Sequence, residues 1–450
     1  MRIRILSAAV CLAALMPSSV SRAGDDLHSR LDRLDAELRQ QGEIIREQQK
    51  IIQALKEELN RQQTRELTQP KQETQAPAAT AKATGFFGGN VLTNPNVGLV
   101  LDTFAYTSNL EDDELENRGI AGFTTSGLEP RQGFNLRAAE LFIFAPVDPY
   151  FNLYANLPIT EDGVELEEVY AVTTALPAGL QVKGGKFKSN FSRLDAQHPH
   201  VWDFYDIALP YRAFLGDEGL GGEKGVQLTC LPAWPVYTQF GVEVLQGEND
   251  LLFGADGASG PHAYSLFVKN SMDITDNSTL YFGPSVLFGK TRTTGIVDGE
   301  EFAGDSALYG LEGVWKWKPD SRQGFTLQSE YLYLDQHGDL TDETTALSDS
   351  LRRGQDGFYV QGMYQLGRWR FGARYDMLEL FADRFELAGE EQELGETPWR
   401  ASTALEFNLS EFTRLRFQFT HDRSGRDDRS NNEGVLQLLF GIGAHAAHSF

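Results

Sequence analysis

From about Gly85 to Phe450 apolar and polar residues alternate with a period of two, and that period restricts this part of the chain to strands. In "RWRFGARYDM" one parity carries Arg368, Arg370, Arg374 and Asp376, and the other carries Trp369, Phe371, Ala373, Tyr375 and Met377. Two architectures use such strands. A soluble sandwich turns the apolar side to a core and the charged side to bulk water. A membrane barrel turns the apolar side to lipid and the charges to a water-filled lumen.

The connections decide between them. Tight ones, at Val147-Asp148-Pro149, Pro177-Ala178, Pro232-Ala233-Trp234, Thr275-Asp276-Asn277, Pro319-Asp320-Ser321, Gly367 and Ser410-Glu411, alternate with long polar ones such as "RSGRDDRSNNE". Short turns at one end and long loops at the other belong to an outer-membrane barrel. Sixteen candidate strands are spaced along the chain, the fourth-last to last near 368–378, 398–408, 413–422 and 434–450, and the middle ones near 306–317, 325–335 and 356–366. In "LYGLEGVWKWK" Tyr309, Leu311, Trp315 and Trp317 share a parity beside a tight turn, as a girdle of interfacial aromatics would. A terminal strand ending on Phe450 is the feature a barrel-assembly machinery would read. The predicted fold is all-β: a 16-stranded antiparallel transmembrane barrel over residues 85–450, preceded by a short helical coiled coil.

Residues 1–23 join Arg2 and Arg4 to an apolar run, Ile5 to Met16, and end on small residues, which predicts a cleaved secretory signal. Its removal takes three arginines and no acid, moving the formal charge from -24 to -27. Cys11 leaves with it, and Cys230 alone cannot form an intrachain disulfide. Residues 24–64 follow a seven-residue repeat with Leu31, Leu38, Ile45, Ile52 and Leu59 at one core position, which predicts a trimerising coiled coil in the periplasm. Residues 65–84 are poor in apolar bulk and predict a linker. No stretch after the signal approaches the roughly 18 apolar residues of a membrane helix, and the acidity excludes nucleic acid as a partner. The partners left are outer-membrane lipid, a homotrimer's other copies and small solutes or ions in a Gram-negative outer membrane, with no cofactor.

"VKGGKFKSNFSRLDAQ", Val182 to Gln197, resembles the phosphate-selective porins O and P: a strand ending in G-x-F-K, a small residue, Phe, then a long loop. "EEVYAVTTALPAGLQV" and "DEGLGGEKGVQL" are similar to the flanking hairpin and strand re-entry of that family. The resemblance implies a sixteen-stranded trimeric channel whose third long loop folds inward. That constriction loop would be 189–223 here, but Arg193 is outnumbered in it by Asp195, Asp203 and Asp206, so the resemblance implies fold more than phosphate.

Parity places Arg370, Arg374, Arg400 and Arg416, with Lys183, on the water-filled side. Opposite the loop acids they would set a transverse field across the pore and select solutes by charge; the plain alternative is that they pair with wall carboxylates and brace the barrel. His198 and His200 could offer two imidazoles to a metal ion, which makes a zinc-type uptake channel the alternative function. A barrel-anchored surface-binding protein is a further alternative. His421 with Asp422 is the one enzyme-like pair, and its parity points to lipid, so no catalysis is expected.

Overall fold

A computed structural model describes residues 95–443, apart from 117, 121–130, 298–299 and 426–428. The signal, coiled-coil and linker segments lie outside the described residues, as do His445, His448 and Phe450. The first half of the wall is β1 (Asn96–Ser108), β2 (Gly133–Pro146), β3 (Phe151–Ile159), β4 (Glu168–Thr173), β5 (Leu180–Lys188), β6 (Gly222–Cys230), β7 (Tyr237–Leu245) and β8 (Ala263–Thr275). The second half is β9 (Ser278–Val297), β10 (Glu300–Trp317), β11 (Gln323–Asp342), β12 (Ser348–Leu366), β13 (Trp369–Leu387), β15 (Trp399–Ser410), β16 (Thr413–Arg423) and β17 (Asn431–Gly443), with a two-residue strand, β14 (Glu390–Glu391), in the loop after β13. Each wall strand pairs antiparallel with its sequence neighbours, and β1 closes the ring on β17. Setting aside β14, which pairs only with Glu386 and Leu387 of β13, the wall is a closed sixteen-stranded barrel.

The two faces of the wall follow the alternation. On β13, Trp369, Phe371 and Tyr375 are exposed outward while Arg374 and Asp376 are buried inward. On β16, Phe417 and Phe419 face out and Arg416 and Gln418 face in. Tyr309, Leu311 and Trp315 make the same outer surface on β10. Such an apolar exterior belongs in hydrocarbon, where closure leaves no unpaired strand edge. Among the described residues no helix is long and apolar enough to cross a membrane.

Strands β9–β13 run to 18–20 residues, well beyond the expected spans. A bilayer needs only about 9–11 residues per tilted strand. The surplus lies at the long-loop end, in stretches such as "DQHGDLTD" and "ADRFELAG", where the outward side chains turn polar while the ladder continues and the inward face still buries Phe302, Leu340 and Leu351.

Between β5 and β6 the chain turns into the lumen and forms a core there. Phe187, Phe191, Leu194, Trp202, Ile207 and Leu220 are buried with inward wall residues such as Leu308, Leu332 and Tyr359. A short helix, Leu209–Leu215, is buried along its whole length. Each large apolar side chain buried in this way contributes roughly 1.5–3 kcal/mol. Inward glycines make the sockets: a Cβ at Gly310 would stand 3.3 Å from Phe191, one at Gly357 3.1 Å from Pro210, and one at Gly372 3.2 Å from Phe204. The segment also closes on itself. Gly219, at φ +69°, lies so near Asp195 that a Cβ would come within 2.2 Å of its Oδ1.

Candidate functional site

The four arginines named from parity sit on adjacent inward positions of β13, β15 and β16, and the inward segment comes to rest on them. Arg370 pairs with Asp203 at 2.5 Å and with Glu406 at 3.0 Å. Arg374 pairs with Asp206 at 2.9 Å and with Asp376 at 3.1 Å. Arg400 pairs with the same Asp206 carboxylate and, at 3.5 Å, with Asp422. Arg416 pairs with Glu406 at 3.0 Å and donates to Gln437 at 3.0 Å and to the Trp202 carbonyl at 2.6 Å. The arginines and the loop acids therefore touch, where the sequence reading set them across a gap of water. Arg374, Arg400 and Arg416 are buried, and burial of a charge is tolerated because each has a carboxylate partner. Among the described residues, Nε and Nη1 of Arg400 find no hydrogen-bond partner.

The remaining candidates are spread around the ring. Asp195 is buried inside the segment, accepting from Ser192 Oγ at 2.6 Å and from the Leu220 amide at 2.9 Å, and so staples the segment's two ends. Arg193 donates Nε–H to Gln328 at 3.1 Å, and its amide donates to Glu330 at 3.0 Å. Glu330 also accepts from Tyr211 at 2.7 Å and from Tyr359 at 2.5 Å. On the far side, Ser189 and the Asn190 amide donate to Glu243 at 2.5 and 2.9 Å. Lys183 stands apart from the arginines, its ammonium over the rings of Tyr170 at 5.1 Å and Phe187 at 5.0 Å. His421 bonds Asn432 at 2.8 Å while Asp422 turns inward to Arg400 and Ser424, so this pair does not converge.

His198 and His200 stack at 5.7 Å and meet a cluster that the sequence reading had not assembled. His198 Nδ1 is 3.1 Å from Glu167 Oε2, its Nε2 is 2.9 Å from Glu168 Oε2, and His200 Nδ1 is 2.9 Å from Glu140 Oε1. Lys188 pairs with Glu167 at 2.9 Å, and Asn156 donates into the centre. Burial opposes a charge on His198, but hydrogen bonds to Glu167 and Glu168 outweigh it and push its pKa up to about 10. Glu140, Asn156 and Glu168 come from the inward parity of β2, β3 and β4. The sequence signal was there, in "VELEEVY" and "YANLP", but only the barrel's closure shows that three strands and the loop meet.

Cavities flank this stretch. One of about 430 Å³, bordered by His200, Glu411, Phe412 and Arg414, opens at the short-turn end. A second, of about 330 Å³, is bordered by Glu140, Tyr154, Tyr170, Lys183, His198 and His200. Its wall carries Tyr154 and Tyr170 stacked at 5.1 Å. A third, of about 220 Å³, lies toward the long-loop end against Asn135, Arg137, Pro199, Asp217 and Glu218. His198-Pro199-His200 thus stands between the two ends of the lumen.

A closed sixteen-stranded wall, apolar outside and charged inside, with its own segment folded across the lumen, defines a membrane-spanning barrel of the internally constricted kind. The chain belongs to one family with a protein of Aquifex aeolicus (strain VF5) described as "Uncharacterized protein", to which it is 41% identical over 381 residues, covering 79% of this chain and 80% of the other. No family model matches the chain. Among solved structures it is similar to the outer membrane channel DcaP of Acinetobacter baumannii, at 13% identity and TM-score 0.49, over 77% of this chain and 97% of that one. It is also similar to Pseudomonas putida OprB, at 11% identity and TM-score 0.48, over 78% and 94%. An anion-selective porin from Comamonas acidovorans shows 9% identity and TM-score 0.46, over 77% and 99%.

Proposed function

We propose that the chain is a porin of the Gram-negative outer membrane, a passive channel for small polar and charged solutes in which the segment between Lys188 and Gly222 is the constriction. The observation that carries this reading is the way that segment is held: its ion pairs and hydrogen bonds reach β7, β11, β13, β15 and β16, so it is built into the lumen at a fixed position. The same reading places residues 24–64 in the periplasm as the trimerising element and gives Phe450 to the barrel-assembly machinery.

A phosphate preference has little support. An oxyanion is held by guanidinium or ammonium groups with donors to spare, whereas Arg370, Arg374, Arg400 and Arg416 are each paired with a carboxylate. The test is conductance of the purified full chain in planar bilayers, with reversal potentials in a potassium chloride gradient and phosphate added as a blocker. Ohmic single-channel steps without phosphate block are expected. Absence of steps from a correctly folded barrel overturns the channel reading, and block by phosphate at low concentration overturns the solute assignment.

A further inference from the structure

The His198 cluster gathers three metal-ligating groups at one point. Glu140 Oε2, Glu167 Oε2 and His198 Nδ1 converge on one point, and the Asn156 amide nitrogen occupies it, at 3.2, 2.7 and 3.2 Å. An amide nitrogen has two hydrogens, so it serves two of the three atoms well. His198 Nδ1 also lies 3.1 Å from Glu167 Oε2. With a proton on Nδ1 that nitrogen donates to Glu167, and a cation that replaces this proton is held by the same atoms. A cation at that point is matched to all three atoms. Such an ion takes the place of the Asn156 amide nitrogen, and that side chain, drawn back from the point, can turn its Oδ1 toward the ion as a fourth donor.

Behind each of the three atoms stands a partner that fixes it. His198 Nε2 is held by Glu168 at 2.9 Å, Glu140 Oε1 by His200 at 2.9 Å, and Glu167 Oε1 by Lys188 at 2.9 Å. A carboxylate on the far nitrogen of an imidazole orients the ring and raises its basicity toward a metal. His200 is thereby a positioning residue for Glu140, in place of the second imidazole ligand that the H-P-H spacing suggested.

We propose that Glu140, Glu167 and His198, with Asn156 as fourth donor, form a binding site for a divalent transition-metal ion of the zinc type. One imidazole nitrogen beside carboxylate and amide oxygens selects zinc-like ions over magnesium and calcium, which take all-oxygen sets. The three atoms lie within 4.8 Å of one another, a span that one ion bridges. The site borders a cavity of about 330 Å³, so an ion enters and leaves by way of the lumen. Its role in transit rests on the channel reading; the binding itself does not.

The full-length protein in detergent, stripped with chelator, is titrated with Co²⁺ by visible absorption and with Zn²⁺ by calorimetry. The expected result is one ion per chain, with Zn²⁺ displacing Co²⁺ and X-ray absorption of the zinc form reporting one nitrogen among oxygen donors. His198→Ala and Glu167→Gln should each abolish the stoichiometric site, and Glu168→Gln should weaken it by about 10–100-fold. His337→Ala, at an exposed histidine elsewhere, should change nothing. Heat-modifiable migration establishes that each variant is folded. Absence of binding by the wild-type chain, an all-oxygen spectrum, or binding that survives in folded His198→Ala overturns the site. Bilayer conductance of the same samples separates the two readings: a conducting barrel that binds no metal loses the site alone, and a metal-binding barrel that does not conduct loses the channel alone.

Discussion

Arg374 meets Asp206 twice, donating from Nη2 to the carboxylate at 2.9 Å and from Nη1 to the Asp206 backbone carbonyl at 2.7 Å. The first contact reads the side chain and the second reads the main chain, so the pair fixes where the inward segment lies as well as what charge it carries. Arg400 joins the same carboxylate, and Gln418 donates to its other oxygen at 2.7 Å. Three strands, β13, β15 and β16, thus converge on one loop residue.

Removing that residue should release the loop. Asp206→Ala leaves two buried guanidiniums without their shared partner, and breaking a buried pair from one side costs about 3–5 kcal/mol. The strand ladders do not depend on Asp206, so the barrel should still assemble and stay heat-modifiable. Single-channel conductance should rise, with larger current noise as the segment samples undocked positions. Unchanged conductance in a folded barrel would mean that the aromatic sockets alone hold the segment.

Acid should break the Asp206 contact too, at low pH. Burial pushes the Asp206 carboxyl up, but Arg374 and Arg400 more than offset this and hold it well below the usual carboxylate range. A folded value below the unfolded one, about 3.9 for Asp, means the stabilisation is fully present above pH ~4 and is lost as pH falls through the folded value. The part of the acid response that Asp206 carries should therefore lie below about pH 4. Asp206→Asn should lack that acid limb.

The barrel was legible because lipid writes a period of two wherever it touches a strand. Where lipid ends the record ends, which is why the strand predicted over 325–335 runs on through Gln336 to Asp342, still paired with β10. The candidate site was legible in part for a related reason. Parity tells which residues face inward, and it placed Arg370, Arg374, Arg400 and Arg416 on one wall. It does not tell what lies against them. The contact of Asp203 and Asp206 with that wall depends on the path of a loop with no period, and that path is set by Gly310, Gly357 and Gly372, whose meaning appears only when Phe191, Pro210 and Phe204 fill their sockets. The His198 cluster draws on four separated segments and could not be assembled from spacing.

Among the ion pairs of Arg370, Arg374, Arg400 and Arg416, the one between Arg370 and Asp203 is the most accessible, at 22% and 18% side-chain exposure, and should be the one that tunes selectivity. Arg370→Ala leaves Asp203 and part of Glu406 uncompensated, so the reversal potential in a salt gradient should move toward cations. Asp203→Asn should move it toward anions. Because the two groups touch at 2.5 Å, the shift of the double variant should differ from the sum of the two single shifts, a non-additivity expected of residues in contact. Additive shifts would show that each charge acts on the permeating ion independently.

The glycine sockets give a test of the constriction that involves no charge at all. A Cβ at Gly372 would stand 2.3 Å from Met363 Sδ and 3.2 Å from the Phe204 ring, so a leucine there has no room while Phe204 stays seated. Overpacking of this kind costs roughly 1–3 kcal/mol, less than the ladder hydrogen bonds of β13 can absorb without coming apart, and the softer partner is the loop. Gly372→Leu should therefore lift Phe204 and the neighbouring Asp203 from the wall, raise conductance and weaken the selectivity set by Arg370. Gly313 offers the matched control: it lies on the outward parity of β10 with nothing within 4 Å of its Cβ position, and Gly313→Leu should leave conductance unchanged. Equal effects at both positions would mean that strand geometry and not the seating of Phe204 controls the pore. An effect at Gly372 alone, together with the release expected for Asp206→Ala, would assign the constriction to a loop held by shape and by charge at adjacent points of one wall.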